Sequence, residues 1–520
     1  MTHPSSIGVI GAGIGGLAAA LRLAAAGCAV TLFERHGAPG GKMRTLPSAA
    51  GPVDAGPTVL TMKDVFEDLF AAAGTRLSDH VTLHPLPILA RHHWRDGTRF
   101  DLHADREATA AEIRGTFGAG SEADYRAFTA DAARLFDAFE DPMMRTARPS
   151  LARLTARVAR DPGLLRAMAP HLSLAARLAR RFREPKLAQL FGRYATYVGG
   201  CPAQVPAILS LVSEAEARGV WHVDGGMHRL ATALATLIEA KGGRIHYGTH
   251  IDRIDTANGT ATGLTVNGTH HAFDAVLFNG DPRALRTGAL GPDATEAVPE
   301  TATEPRSLSA DVLAFAATLA PGTPDLAHHT VFFGDDPATE FAPLMQGARP
   351  LDPTVYICAQ DRGAAARPPG PERFEIIVNA PPGATDDKEG RCPTPILTQL
   401  ARFGLRFDPP PGPETLTTPQ GFDTLFPASL GSLYGRSPSG MMAPFQLPTA
   451  QTRITKLYLA GGGAHPGAGV PMAALSGRHA AETILKARTS TSTSRRRDTP
   501  GGMSTGSATI ASVPSRSSAS

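Results

Sequence analysis

The stretch from Ser6 to Glu34 restricts the fold of this chain more than any other. Ser6–Ile10 (SIGVI) is a short apolar run of β type, and Gly11-Ala12-Gly13-Ile14-Gly15-Gly16 follows it directly. Leu17–Ala26 then reads as an alanine-rich helix stopped by Gly27. Cys28–Phe33 (CAVTLF) is a second apolar strand that closes on Glu34. A GxGxxG run alone says little in a chain with 54 glycines. Strand, glycine turn, helix and second strand ending in an acid are together a dinucleotide-binding fingerprint in an α/β domain. Gly11 allows the tight turn, Gly13 lets backbone approach a pyrophosphate at the helix N-terminus, and Gly15 and Gly16 complete the first turn, where Gly16 permits close helix–strand contact. Glu34 is placed to accept hydrogen bonds from an adenosine ribose.

The residues beyond Glu34 separate flavin from nicotinamide. Arg35-His36-Gly37-Ala38-Pro39-Gly40-Gly41-Lys42-Met43-Arg44 sets a glycine pair, Gly40 and Gly41, beside the cations Arg35, Lys42 and Arg44, a second group of amides and positive charge for the pyrophosphate. This segment resembles the FAD flavoproteins of the glutathione-reductase type, in their amine oxidase and carotenoid desaturase branch. Asp54-Ala55-Gly56-Pro57-Thr58 continues the pattern, with Gly56, Pro57 and Thr58 suited to a loop at the flavin. Near the other end, KLYLA (456–460), the loop Gly461–Met472 and a helix over Ala473–Leu485 resemble the family's strand–loop–helix that aims a helix N-terminus at the flavin. The resemblance therefore implies contacts from Gly462, Val470 and Met472. Gly462 stands where many of these flavoproteins carry an aspartate for the ribityl chain.

GPVDAGPTVLTM (51–62), RYATYVGGCPAQVPA (193–207), GVWHVDGGMHRLATAL (219–234), DAVLFNGDPRAL (274–285) and AHPGAGVPMAALSG (464–477) make the chain similar to the bacterial phytoene-desaturase-type carotenoid desaturases, from about Ile7 to Lys486. Within that family it looks closest to the hydroxyneurosporene desaturases of purple phototrophic bacteria. The resemblance implies a Rossmann-like FAD-binding domain over 1–80, 215–290 and 448–487, with Ile251 against the adenine. An inserted, partly helical substrate domain would take 81–214 and 291–447. It implies FAD as cofactor and a long apolar carotenoid as substrate, with 3,4-desaturation of a 1-hydroxy carotenoid on the route to spheroidene-type pigments.

Charge locates a further feature. The net charge of +3 is a sum of unlike parts: 488–520 carries five arginines and one acid, leaving −1 for the rest, so no basic nucleic-acid surface is expected. The serine- and threonine-rich tail is expected to be disordered. Residues 145–183 hold ten arginines and one acid, Asp161. There Leu151, Leu154 and Val158 share a helical face opposite Arg153, Arg157 and Arg160, and Leu174, Leu178 and Phe182 repeat the spacing. This pattern fits either an interfacial helix on anionic lipid or a solvated helix packed on the core; the family's lipid-soluble substrate favours the first. No apolar run approaches the roughly 18 residues of a membrane span. The expectation is a peripheral protein on the cytoplasmic side of the inner membrane, not a secreted one. The cysteines Cys28, Cys201, Cys358 and Cys392 form no CxxC pair, and no metal set is read from them.

A carotenoid has no carbonyl to acidify the C–H bonds it loses, so hydride departure toward a flavin is the expected first step, leaving a delocalised allylic cation. His465, in the C-terminal glycine loop, is the candidate acceptor for the second proton, although a histidine beside proline is more often structural. DGG (224–226) and GGG (461–463) are not followed by a matching acid, so no second dinucleotide fingerprint competes, and dioxygen or a membrane quinone is the expected electron acceptor. A phytoene desaturase, a flavin amine oxidase and a non-enzymatic prenyl-binding protein share the expected fold and are the competing readings.

Overall fold

A computed structural model describes residues 5–363, 370–385 and 393–495. Five parallel strands form its first sheet: β1 (Ser6–Ile10), β2 (Ala29–Phe33), β3 (Arg244–His246), β4 (Ala275–Phe278) and β5 (Leu457–Leu459), in the spatial order β5-β4-β1-β2-β3. Val9, Leu32 and Val276 have no exposed surface, as the central strands of a parallel sheet covered on both faces require. The chain leaves β1 toward β2 on one side and pairs with β4 on the other, so a crevice opens at the carboxyl ends of these strands.

Three helices wrap this sheet. Helix α1 (Ile14–Ala25) begins three residues earlier than the alanine-rich pattern suggests, because the glycine run itself is helical once Gly13 has capped it in extended geometry. It packs against α2 (His228–Ala240) and α3 (Val470–Arg495). Helix α3 likewise starts at Val470, inside the glycine loop, and extends past Leu485 through Arg495. The expectation of disorder from 488 onward is therefore corrected for 488–495: propagating an established helix costs little, and no glycine or proline interrupts it there. Residues 496–520 lie outside the described residues.

The second sheet is mostly antiparallel and runs Phe407–Asp408, Ser309–Leu319, Glu372–Ala380, Val355–Ala359, His329–Phe332, Ile88–His93 and Arg99–His103. Val312, Tyr356, Ile377 and Asn379 share the face turned toward the crevice. The opposite face of the same strands packs Leu313, Phe332, Ile357, Phe374 and Ile376 into a separate core.

The arginine-rich stretch forms three short helices, Leu151–Ala159, Pro162–Met168 and Leu174–Arg181. Most of its apolar residues face inward: Leu154, Leu174, Leu178 and Phe182 are buried in the cores. Arg145, Arg177, Arg181 and Arg183 are ion-paired with Asp64 and Glu140, Asp131 and Asp124. What remains outside is Leu151 at 46% and Leu165 at 45% exposure, among the exposed Arg153, Arg157, Arg160, Arg166 and Arg180.

Candidate active site

A cavity of about 1440 Å³ occupies the crevice and continues under the second sheet. Single small-molecule sites run to roughly 300–1,000 Å³, so this one has room for a large cofactor and a second ligand. One end is lined by Gly11, Gly13, Glu34, Gly40, Gly41 and Lys42, the other by Trp94, Phe182, Tyr197, Phe333, Tyr356 and Asn379.

The first end is built from backbone. Gly11 holds φ at +95°, a value open to glycine, and its amide donates to Phe33 O at 2.8 Å, which closes the turn from β1 into α1. Gly13 caps α1 and has no side chain to offer the first-turn amides, so those donors stay directed at the cavity. A β-carbon on Gly13 would sit 2.8 Å from Asn279 Nδ2, and one on Gly16 would sit 2.2 Å from Gly11 O. Gly15 and Gly16 do not line the cavity; they let α1 lie against Gly461 and Gly11. Glu34 is 4% exposed and accepts hydrogen bonds from the amides of Ala12 (2.7 Å) and His36 (2.9 Å). Ile251 and Arg35 line the same end, beside Thr249, whose amide donates to Glu34 O at 2.8 Å.

Positive charge enters through Lys42. Its ammonium donates to Leu433 O at 2.5 Å and lies 5.6 Å from the Phe426 ring centre. Burial holds its pKa down at about 8, with Asp281 pulling the other way and Arg306 reinforcing burial. Arg44 does not line the cavity: it donates to Thr417 Oγ1 at 2.6 Å and stacks over Phe422. Gly56, Pro57 and Thr58 do line it, and a β-carbon on Gly56 would come within 1.8 Å of Lys42 O, so this loop closes on the Gly40–Lys42 turn only through glycine. Behind it, Asp54 accepts from the amides of Met227 (2.5 Å) and His228 (3.3 Å), and burial, the larger effect, still raises its pKa. Gly462, Val470 and Met472 line the cavity at the N-terminus of α3.

His465 is a correction. Its ring is 3% exposed, does not line the cavity, donates from Nε2 to Thr146 O at 2.9 Å and stacks on His479. That is the geometry of a clamp holding the glycine loop to the 143–146 segment, and it leaves the ring out of reach of the cavity.

Several cavity residues have no role that the sequence assigns. Asn279 donates to Gly11 O at 3.2 Å, and its Oδ1 is buried without a hydrogen-bond partner among the described residues. On the far wall Glu340, 3% exposed, accepts from Thr354 Oγ1 (2.6 Å) and Asn379 Nδ2 (2.9 Å). Tyr356 Oη lies 2.7 Å from both Thr58 Oγ1 and His329 Nδ1. Arg193 stacks on Tyr194 and Tyr197 and donates to Tyr197 Oη at 2.6 Å. Asn279, Arg193 and Tyr197 lie in sequence motifs without a role assigned to them, and Glu340 and Tyr356 lie in none, because the polar groups come from several elements.

The uncapped first turn of α1, the partnerless Asn279 Oδ1, the buried acid at the end of β2 and a tucked lysine are donors and acceptors suited to a flavin dinucleotide. Known proteins agree. The family described as flavin containing amine oxidoreductase matches residues 14–318. A hydroxyneurosporene desaturase of Cereibacter sphaeroides is 53% identical over 92% of this chain and 97% of its own. A phytoene dehydrogenase of Streptomyces griseus is 31% identical over 95% and 97%. Among solved structures, cyclohexylamine oxidase of Brevibacterium oxydans aligns over 94% of this chain and 100% of its own, with TM-score 0.57 at 16% identity, which speaks for the fold. With the family model matched over residues 14–318 and a relative 53% identical over 92% of the chain, the chain belongs to the flavin containing amine oxidoreductase family.

Proposed function

We propose that this protein is an FAD-dependent carotenoid desaturase that introduces a C=C bond into a 1-hydroxylated carotenoid, at the 3,4 position. The observation that carries the reading is the 53% identity to a hydroxyneurosporene desaturase across nearly the whole of both chains, against 31% for the phytoene dehydrogenase. The cavity supports it, since beyond the cofactor end most of its wall is apolar, with Phe, Tyr, Trp, Val, Ile, Leu, Met and Ala side chains among scattered polar groups, as a polyene with a polar end requires.

The residues that would hold FAD are Gly11, Gly13 and the α1 amides at the pyrophosphate, Glu34 at the adenosine ribose, Ile251 near the adenine, and Gly40, Gly41 and Lys42 as a second phosphate-facing group. Gly56–Thr58, Gly462 and Val470–Met472 would flank the flavin. When bound, FAD supplies the two-electron acceptor for a hydride equivalent. The chain contributes confinement: Tyr356, Phe333, Phe182 and their neighbours exclude water and align the polyene along the sheet face. Dioxygen or a membrane quinone would take the electrons from the reduced cofactor.

Among the described residues no helix is long and apolar enough to cross a membrane. Leu151 and Leu165, set among exposed arginines, suit a surface resting on anionic lipid at the cytoplasmic face of the inner membrane. Ala175 and Ala179 of the third arginine-rich helix also line the cavity, so a lipid-dissolved substrate would have a short way in.

The test is product analysis in hosts that accumulate either 1-hydroxyneurosporene or phytoene. A product with one further double bond from the hydroxylated precursor alone is the expected result. Conversion of phytoene alone would overturn the substrate assignment, and a colourless protein that cannot be reconstituted with FAD would overturn the enzyme.

A further inference from the structure

Desaturation leaves one proton without an acceptor, and His465 does not reach the cavity. The cavity wall offers another group. Tyr356 lines the cavity beside Thr58, with His329 Nδ1 at 2.7 Å from its hydroxyl. His329 does not stand alone: its ring centre is 4.5 Å from that of His328, which is 4.9 Å from that of His222, which stacks at 6.1 Å on the partly exposed His84 across a strand pair. Three successive members of this row, His329 Nε2, His328 Nδ1 and His222 Nδ1, present buried ring nitrogens with no hydrogen-bond partner among the described residues. Buried polar atoms are rarely left so, and three in line between a cavity and an edge call for an explanation.

The geometry points to a proton path from the cavity through Tyr356, His329, His328 and His222 to the edge of the protein at His84. It rests on the desaturase reading and adds the group that takes the second hydrogen. Converting CH2–CH2 to CH=CH removes one hydrogen as hydride, which carries both electrons of its C–H bond to the flavin. The neighbouring hydrogen leaves as a proton while its C–H electrons become the π bond. That proton passes to Tyr356 Oη as the tyrosine's own proton moves to His329 Nδ1. The imidazolium so formed releases its Nε2 proton toward His328, and the charge continues through His222 to solvent.

The chemistry suits weak bases. Burial pushes His329 well below the ordinary histidine range, with His328 and Arg193 adding to it, and holds His328 at about 3. Both rings are therefore neutral and ready to accept at working pH. A C–H bond next to an allylic cation is acidic enough to need no stronger base.

Tyr356→Phe removes one oxygen from the wall and keeps the ring, and His329→Asn removes the relay atom behind it. In holoenzymes of both, FAD content and the absorbance shift on carotenoid binding should stay within about twofold of wild type. Flavin bleaching in an anaerobic single turnover should slow roughly 10²-fold, the usual worth of a positioned acid–base group. Independently of turnover, [15N]histidine spectra of the resting holoenzyme should show a neutral ring bonded through Nδ1 whose signals move in Tyr356→Phe. Two results overturn the path: bleaching within about threefold of wild type in both variants, or a metal ion held stoichiometrically by His328, His329 and Cys358, whose ligand atoms lie within 4.8 Å of one another. A wild-type enzyme that bleaches with no carotenoid overturns the desaturase reading and the path with it. Normal wild-type bleaching with unchanged variants overturns the path alone.

Discussion

Gly477 of α3 lies so close to Gly15 of α1 that a β-carbon at 477 would come within 2.3 Å of the Gly15 carbonyl oxygen and 3.0 Å of Ala18 Cβ. The two helices meet backbone to backbone, and this contact fixes where the first turn of α1 points. In a free helix, Gly→Ala gains up to about 1 kcal/mol. Here the added carbon must push a backbone oxygen aside, an overpacking cost of about 1–3 kcal/mol. Gly477→Ala is therefore expected to lower the melting temperature and the FAD retained on purification. An unchanged melting temperature would contradict the contact.

Glu34 connects the sequence motif to the cavity. Truncation in Glu34→Ala leaves the buried amide of Ala12 unpaired, at about 1–3 kcal/mol, and removes the acceptor of the half-buried His36 amide. The purified variant is expected to be largely free of FAD, and Glu34→Gln, which keeps one acceptor oxygen, to retain an intermediate amount. Flavin-to-protein absorbance ratios after gel filtration read both.

Lys42 makes cofactor affinity depend on pH. Burial brings its folded-state pKa down to about 8, so in the free site the ammonium is lost as pH rises through that value. An anionic ligand prefers the charged form, and the FAD dissociation constant should rise by up to about tenfold per pH unit above it. In the apoprotein the sign is opposite. The unfolded chain holds this proton up to the ordinary lysine pKa, so the Lys42 contribution to folding stability increases between about pH 8 and pH 10. Reconstitution titrations from pH 7 to 9.5 check the first statement, and Lys42→Met should flatten them.

His465→Ala is expected to leave single-turnover bleaching unchanged while costing about 1–2 kcal/mol of stability through the lost bond to Thr146 O. Slower bleaching at equal FAD content would restore the histidine to the chemistry.

For membrane docking, Leu151→Ser with Leu165→Ser should lessen sedimentation with anionic vesicles at low salt, and replacing Arg153, Arg157, Arg160 and Arg166 with Glu should abolish it. Ionic attraction near a lipid surface contributes about 1 kcal/mol per arginine and is screened by salt. Equal sedimentation of wild type and both variants would refute the surface.

The amino-acid sequence by itself determined the glycine turns and the acid at one end of the cavity. Gly11, Gly40 and Gly41 hold positive φ, and Gly13, Gly15, Gly16 and Gly56 lie where a β-carbon would meet neighbouring protein atoms; such requirements of backbone geometry permit few other residues and can be read from neighbours in sequence, as can the acid Glu34 at the end of β2. It also determined that 145–183 is amphipathic, but not which way each face turns: Leu174, Leu178 and Phe182 went to the core and only Leu151 and Leu165 stayed outside. That choice belongs to packing. The tertiary structure alone decided the chemistry of the far wall. Thr58, Tyr356, His329 and His222 come from four separate segments, and His465, which the motif puts beside the flavin, turns toward Thr146 because the fold brings the 143–146 segment to it. Residues held together by sheet register and helix docking leave no periodic trace in a single chain, and the side chains that meet a substrate are selected by that docking.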